Sequence, residues 1–293
     1  MRVSFSHQYD VFRNDLMRTQ SDYYIAQQRV SSGKRIQTPS DDPYGTAKSV
    51  SLRALRNASD QYSQNLTSAK GFLSMSESTI AEMDTLLKRA NELAVGGANG
   101  ATDQSARTAM AAELTTIQAR LVDLANTKGP GERSLFAGQK TDTTPFVAAN
   151  GTLTYNGDNN DLYVETSPTE TMPINTQMGG FLTQVYGQLE ALKGNLQGGN
   201  QGAISGVDIP AIQASEKALT QLRGTIGTRL QSVNQSIDHQ TRRMDDLTSQ
   251  ISDTEDVDMS EAILQYKRTE TAYQAAMQTV SMTSRLSLMD FLK

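Results

Sequence analysis

The chain has 293 residues, enough for one large or two ordinary domains, but only 37% are hydrophobic, below an ordinary globular domain, so an elongated molecule with a thin core is expected. Its 27 basic and 32 acidic residues give a net charge of -5 and are spread along the chain, which argues against nucleic acid as a partner, since phosphate neutralisation supplies most non-specific affinity. Cysteine is absent, which excludes disulfides, thiolate catalysis and sulfur-ligated metals; no apolar run is long enough for a secretory signal or a bilayer span, so membrane insertion is not expected.

Stepping alternately by four and three from the N-terminus gives Phe5, Tyr9, Phe12, Leu16, Thr19, Tyr23, Ala26 and Val30, a heptad seam on one helix. The stretch "VSSGKRIQTPSDDPYG" ends that helix. Gly33 suits the left-handed position after a helix, Pro39 blocks continuation, and Asp42 before Pro43 reads as an N-cap with proline at the first helical position. Asp41 and Asp42 could as neighbours bind a cation or share a proton, but capping is the stronger reading, so the stretch is a joint between helices.

A second seam runs from Leu52 to Ala94 without an internal proline, a helix of roughly 65 Å. After a Gly-rich break, Thr102 or Asp103 can cap a helix whose seam is Met110, Leu114, Ile117, Leu121 and Leu124. Residues 136–176 then read as a small β-rich insertion centred on a hairpin of "TLTY" and "DLYVET" joined by "NGDNN". The Asp-rich joining segment lacks the spacing and closing Glu of an EF-hand, so a plain turn is favoured over a Ca²⁺ site.

Helical periodicity returns at Met178, Leu182, Val185, Leu189, Leu192 and Leu196, breaks at "QGGNQGAISG", and resumes as a second rod from Leu219 to Ile251 with Arg229 and Gln240 as polar seam positions. After a phase shift at "SDTEDVDMS", with Asp258 or Ser260 as cap, the last seam is Met259, Ile263, Tyr266, Glu270, Tyr273, Met277, Val280, Ser284, Ser287 and Phe291. The expected fold is mainly α, with long antiparallel coiled-coil helices and a small β-rich insertion. Neither terminal helix can bury its stripe alone; they either pair with each other or bury themselves between subunits.

His7 and His239 are the only histidines, each in a polar helical context, and no Walker loop, G-x-G-x-x-G turn or G-x-S-x-G elbow is present. No catalytic, cofactor-binding or metal-ligating residue is therefore assigned, and an enzyme is not expected.

"VSSGKRIQTPSDDPYG" resembles the "LSSG-R-I" and "DD" hallmark that follows the first helix of flagellins. With "LFAGQKTDTTPF" at 135–146 and the C-terminal "SLSLMDFLK", it resembles more closely the hook–filament junction branch of the flagellin-like family, over residues 1–146 and 210–293. The resemblance implies an extracellular flagellar protein exported through the type III channel, without a cofactor. It would self-assemble as a helical layer between the hook, through a sister junction protein, and the flagellin filament, after a cytoplasmic export chaperone has covered its C-terminal helix.

The same resemblance implies an inner terminal coiled coil of 1–45 and 255–293, a helical packing domain of 46–135 and 177–254, and the outward insertion 136–176. Assembly would then use Phe5, Tyr9, Phe12, Leu16, Tyr23 and Val30 with Met259, Ile263, Tyr266, Tyr273, Met277, Val280 and Phe291. Gly33, Arg35, Pro39, Asp41, Asp42 and Pro43 would form the inter-domain joint. Flagellin itself is the nearest rival; a secreted coiled-coil effector or adhesin would explain the heptads but not the paired terminal motifs.

Overall fold

A computed structural model describes residues 2–291; the side chains of residues 2–6, 8, 9 and 283–291 are outside the description, and with them those of Phe5, Tyr9 and Phe291 of the expected stripe. The helices are α1 (Arg2–Ser32), α2 (Pro43–Ala98), α3 (Gln104–Ala125), α4 (Gly179–Gly198), a single turn α5 (Gln201–Ala203), α6 (Ile209–Glu255) and α7 (Met259–Phe291). Four strands lie between α3 and α4: β1 (Phe146–Ala149), β2 (Thr152–Tyr155), β3 (Tyr163–Ser167) and β4 (Glu170–Pro173). The fold is mainly α, as the periodicity indicates. The chain forms two compact units, Met1–Asn57 with Met244–Lys293, and Ala58–Arg243.

The helix ends follow from their caps. Asp42 Oδ1 accepts from the Gly45 N–H at 2.9 Å ahead of α2, Asp103 Oδ1 from the Ala106 N–H at 2.7 Å ahead of α3, and Asp258 Oδ1 from the Ser260 N–H at 2.8 Å ahead of α7. Between α4 and α6 the break is shorter than the glycine-rich sequence suggests. The chain leaves α4 at Gly199, where the Asn200 N–H returns to Asn195 O at 2.9 Å, and is helical again from Gln201, with π-helical turns over Ile204–Asp208 leading into α6.

The second unit holds the main core. The four-and-three positions of α2 from Leu66 to Ala94 are all buried, facing Leu114, Ile117 and Leu121 of α3, Leu182, Leu189 and Leu192 of α4, and Leu219, Ile226 and Val233 of α6 in one cluster. Each such large side chain removed from water contributes about 1.5–3 kcal/mol, so this cluster supplies most of the unit's stability. Ser76, buried on the same seam, donates its hydroxyl to Phe72 O at 2.9 Å and needs no other partner.

The insertion differs from the expected single hairpin. "TLTY" pairs backwards with Phe146–Ala149, and Tyr163–Ser167 pairs forwards with Glu170–Pro173, giving two separate antiparallel hairpins. The reason is turn chemistry. Asn150 and Gly151 both take positive φ, 52° and 76°, which makes the two-residue primed turn that matches strand twist. Residues 156–162 link the hairpins, and Asp158 Oδ1 accepts there from the Gln139 and Asn160 N–H groups at 2.8 and 3.2 Å. The polar seam positions of α6 hold this region: Arg229 Nη1 donates to Asn175 O at 2.6 Å and buried Gln240 Nε2 to Thr166 O at 3.0 Å.

Gly151→Ala should therefore destabilise the first hairpin by about 1–2 kcal/mol, through left-handed strain and a Cβ placed 3.3 Å from Glu190 Oε1. Faster amide exchange confined to β1 and β2 is the expected reading; unchanged protection there would refute it.

Candidate assembly surface and joint

In the first unit, α1 and α7 pack as an antiparallel pair. Tyr23 is its centre. Its ring stacks on Tyr273, centroids 5.6 Å apart at 8°, and lies 5.5 Å from Tyr266, whose hydroxyl is 3.2 Å from its own. That mutual hydrogen bond, followed by partial burial, raises the Tyr23 pKa above the ordinary tyrosine value. Phe12, Leu16, Tyr23 and Val30 are half-buried, as are Tyr266, Tyr273, Ala276 and Val280, while Ala26 and Ala262 are buried.

The structure does not bring all the expected residues into that seam. Met259, Ile263 and Met277 are exposed, because the α7 stripe facing α1 runs through Ala262, Tyr266, Tyr273, Ala276 and Val280. Two small alanines carry less hydropathy than the methionines and isoleucine beside them, so apolar stepping selected the neighbouring rows. On α1, Val11, Met17, Tyr24 and Ile25 are likewise exposed, and on α7 so are Leu264 and Met282, with Tyr24 at 54% and Met282 at 65%. The pair buries one stripe and leaves apolar side chains on its other faces.

The joint is built by backbone pairing. Gly33, at φ +70°, ends α1 by donating to Arg29 O at 2.9 Å, and the chain then runs antiparallel to the end of α6. Arg35 N–H donates to Glu255 O at 2.6 Å and Val257 N–H to Gly33 O at 3.0 Å, with Lys34 bridged to Asp256. Asp41 Oδ2 accepts from the Gln37 and Thr38 N–H groups at 3.1 and 2.8 Å. Asp42 Oδ2 accepts from both Arg35 guanidinium nitrogens at 3.1 Å, and Arg35 Nη2 also reaches Thr254 O at 2.9 Å.

Both aspartates thus close local hydrogen-bond rings. The Thr38 N–H, then that of Gln37, holds Asp41 below the usual carboxylate range, and the Gly45 N–H does the same for Asp42. Pro39 begins the exposed turn that leads into the two aspartates, and Pro43 opens α2.

Glu255 is the residue that sequence reasoning missed. Its side chain is 10% exposed and its carboxylate accepts from Arg53 Nε and Nη2 at 3.0 and 2.6 Å, from Lys34 Nζ at 2.9 Å and from the Ser49 hydroxyl. The Arg53 guanidinium first, then Ser49 and Lys34, lower its pKa to about 2 against the opposing effect of burial. The residue stands in the "SDTEDVDMS" stretch among six other acidic or hydroxyl residues of similar character, and only the fold distinguishes it.

His7 and His239 are exposed, and among the described residues no group of three or more His, Asp or Glu is arranged to hold a metal. No helix among the described residues is long and apolar enough to cross a membrane.

Residues 4–141 match the bacterial flagellin N-terminal helical region and residues 209–292 the bacterial flagellin C-terminal helical region, together about three quarters of the chain. The chain is 26% identical to flagellar hook-associated protein 3 of Salmonella typhimurium over 98% of both. In fold it resembles a solved flagellar hook-associated protein of Vibrio parahaemolyticus, with TM-score 0.68 and 23% identity over 74% of this chain and all of that one. It also resembles a flagellar junction protein of Legionella pneumophila, with TM-score 0.55 and 13% identity over 64% and 99%. Flagellins of Vibrio and Salmonella align over less than half of their own length. This chain belongs to the flagellin-like family, and its likeness over full length within that family is to hook-associated protein 3.

Proposed function

We propose that this chain is the structural subunit that joins hook to filament in the bacterial flagellum. It assembles outside the cell as a helical layer, seated on a sister junction protein at the hook and receiving flagellin above. It travels through the flagellar type III channel after a cytoplasmic chaperone has covered α7. The observation that carries the reading is the α1–α7 pair, which buries one stripe and leaves Met17, Tyr24, Ile25, Ile263, Leu264 and Met277 exposed. Such a pair is complete only among copies. The joint of Gly33, Arg35, Asp41, Asp42 and Pro43, locked by Glu255, holds the terminal pair in one geometry for that stacking.

A junction is favoured over a filament subunit by the match along the whole of hook-associated protein 3. Deleting the gene should leave hooks without filaments under the electron microscope, with flagellin lost to the medium. Normal filaments would overturn the junction reading, and bare hooks without released flagellin would make the chain the filament subunit.

A further inference from the structure

In the second unit, α2 carries Glu77, Asp84 and Asn91 at seven-residue intervals, and α6 carries Glu216 and Arg223 at the same interval. Each set therefore forms a row along one helix face. Arg223 fits between two members of the α2 row: its Nη2 and Nε reach Glu77 Oε1 at 2.8 and 3.1 Å, and its Nη1 lies 3.7 Å from Asp84 Oδ2. The helices run antiparallel, so one heptad back along α6 is one heptad forward along α2. Glu216 occupies the next interval, among Asp84, Lys88 and Asn91. A carboxylate stands there where the equivalent interval holds a guanidinium.

The hydrogen bonding records that substitution. Asp84 Oδ1, Asn91 Oδ1 and Glu216 Oε1 are all buried and none has a donor, although Asp84 is only 4% exposed. The Asn91 amide donates to the Glu216 carboxylate, yet one oxygen of each of these three interacting side chains stays without a donor, and a buried acceptor left unpaired is costly. The charges give the same answer. Glu77 and Asp84 are balanced by Arg223 and by Lys88, whose Nζ is 2.8 Å from Asp84 Oδ2, so an ionised Glu216 would be the one uncompensated charge in the row.

We propose that Glu216 is a proton-binding site of the folded second unit: it takes one proton from solvent as the α2–α6 seam forms, and its O–H donates to the donorless oxygens of Asp84 or Asn91. Burial first, and then the negative charge of Asp84, raise Glu216 above the usual glutamate range, with Lys88 and Asn91 opposing. A group whose pKa rises on folding supports the fold fully below its unfolded pKa and loses that support as pH rises through the folded value. The α2–α6 seam therefore tightens on acidification.

The test is urea unfolding of the full chain between about pH 5 and 9, followed by amide exchange of α2 and α6 near these residues. The wild type should lose stability as pH rises. Glu216→Gln, which keeps the shape and supplies an amide donor, should remove that slope and be the more stable protein at the alkaline end; Asp84→Asn, which removes the charge that raises Glu216, should make the slope shallower. A Glu216→Gln protein with the wild-type slope, or a stability that follows the identity of an added alkali cation instead of pH, would overturn the proposal. If Glu216→Gln does not fold, unbuffered unfolding of the wild type decides: release of a proton on unfolding at a pH above the usual glutamate range supports the site, and no release at any pH above that range refutes it.

Discussion

Glu255→Ala is expected to weaken the joint of the first unit by roughly 2 kcal/mol at neutral pH and to reduce swimming accordingly. The carboxylate gathers Arg53, Lys34 and Ser49 from either side of α2's start, while its main-chain carbonyl receives the Arg35 N–H. A pKa lowered from 4.5 to about 2 corresponds to about 3 kcal/mol. Lys34 and Arg53 are 42% and 49% exposed, so solvent screening reduces that figure to the one given.

The sign of the pH dependence follows from the depressed value. The contribution is complete above about pH 4.5, the unfolded value, and is lost as pH falls toward 2. The amides of Arg35 and Val257 report the local opening directly, and in Glu255→Ala they should exchange roughly 30-fold faster at neutral pH. Glu255→Gln should fall between, and its difference from wild type should close across the acid window. Unchanged exchange at both amides would show that backbone pairing alone holds the joint. Glu255 and Glu216 thus sit on one helix with opposite proton linkage, because hydrogen-bond donors outweigh burial at the first, while burial and the charge of Asp84 outweigh Lys88 and Asn91 at the second.

The long helices were legible because their signals are local and repeated. Leu66 to Ala94 of α2 declares one buried face residue by residue, and the capping aspartates Asp42, Asp103 and Asp258 each stand where a helix begins. The hairpin pairing is less legible, because "NG" occurs both at 150 and 151 and at 156 and 157, and only the first closes a two-residue turn between paired strands. Glu255 and Glu216 could not be recognised from spacing. Their meaning depends on which residues of α2 face them, a register between segments far apart in sequence. The exposed Met259, Ile263 and Met277 mark a different limit: apolar periodicity finds hydrophobic faces, and a helix made for assembly has more than one.

Tyr23→Ala should have the largest effect on the terminal pair, because one side chain of α1 touches two aromatic rings of α7. Each aromatic pair adds about 0.5–1.5 kcal/mol beyond area burial, and truncation also removes the half-buried ring's own contacts, so a loss of about 2–3 kcal/mol in α1–α7 pairing is expected. Tyr23→Phe keeps the stack on Tyr273 and gives up only the 3.2 Å hydroxyl contact with Tyr266, so it should cost less than about 1 kcal/mol. Amide exchange over Leu16–Val30 and Ala262–Val280 in the free chain measures both. Tyr24→Ala supplies the contrast. Its ring is 54% exposed, 6.0 Å from Tyr23 and away from the α7 seam, so pairing in the free chain should hardly change. If the remaining faces are contact surfaces between copies, Tyr24→Ala will instead impair filament growth in the cell while leaving exchange in the free chain intact. A Tyr24→Ala strain with normal filaments, beside a Tyr23→Ala strain without them, would confine the essential contacts to the seam within one chain and remove the exposed α1 face from the assembly surface.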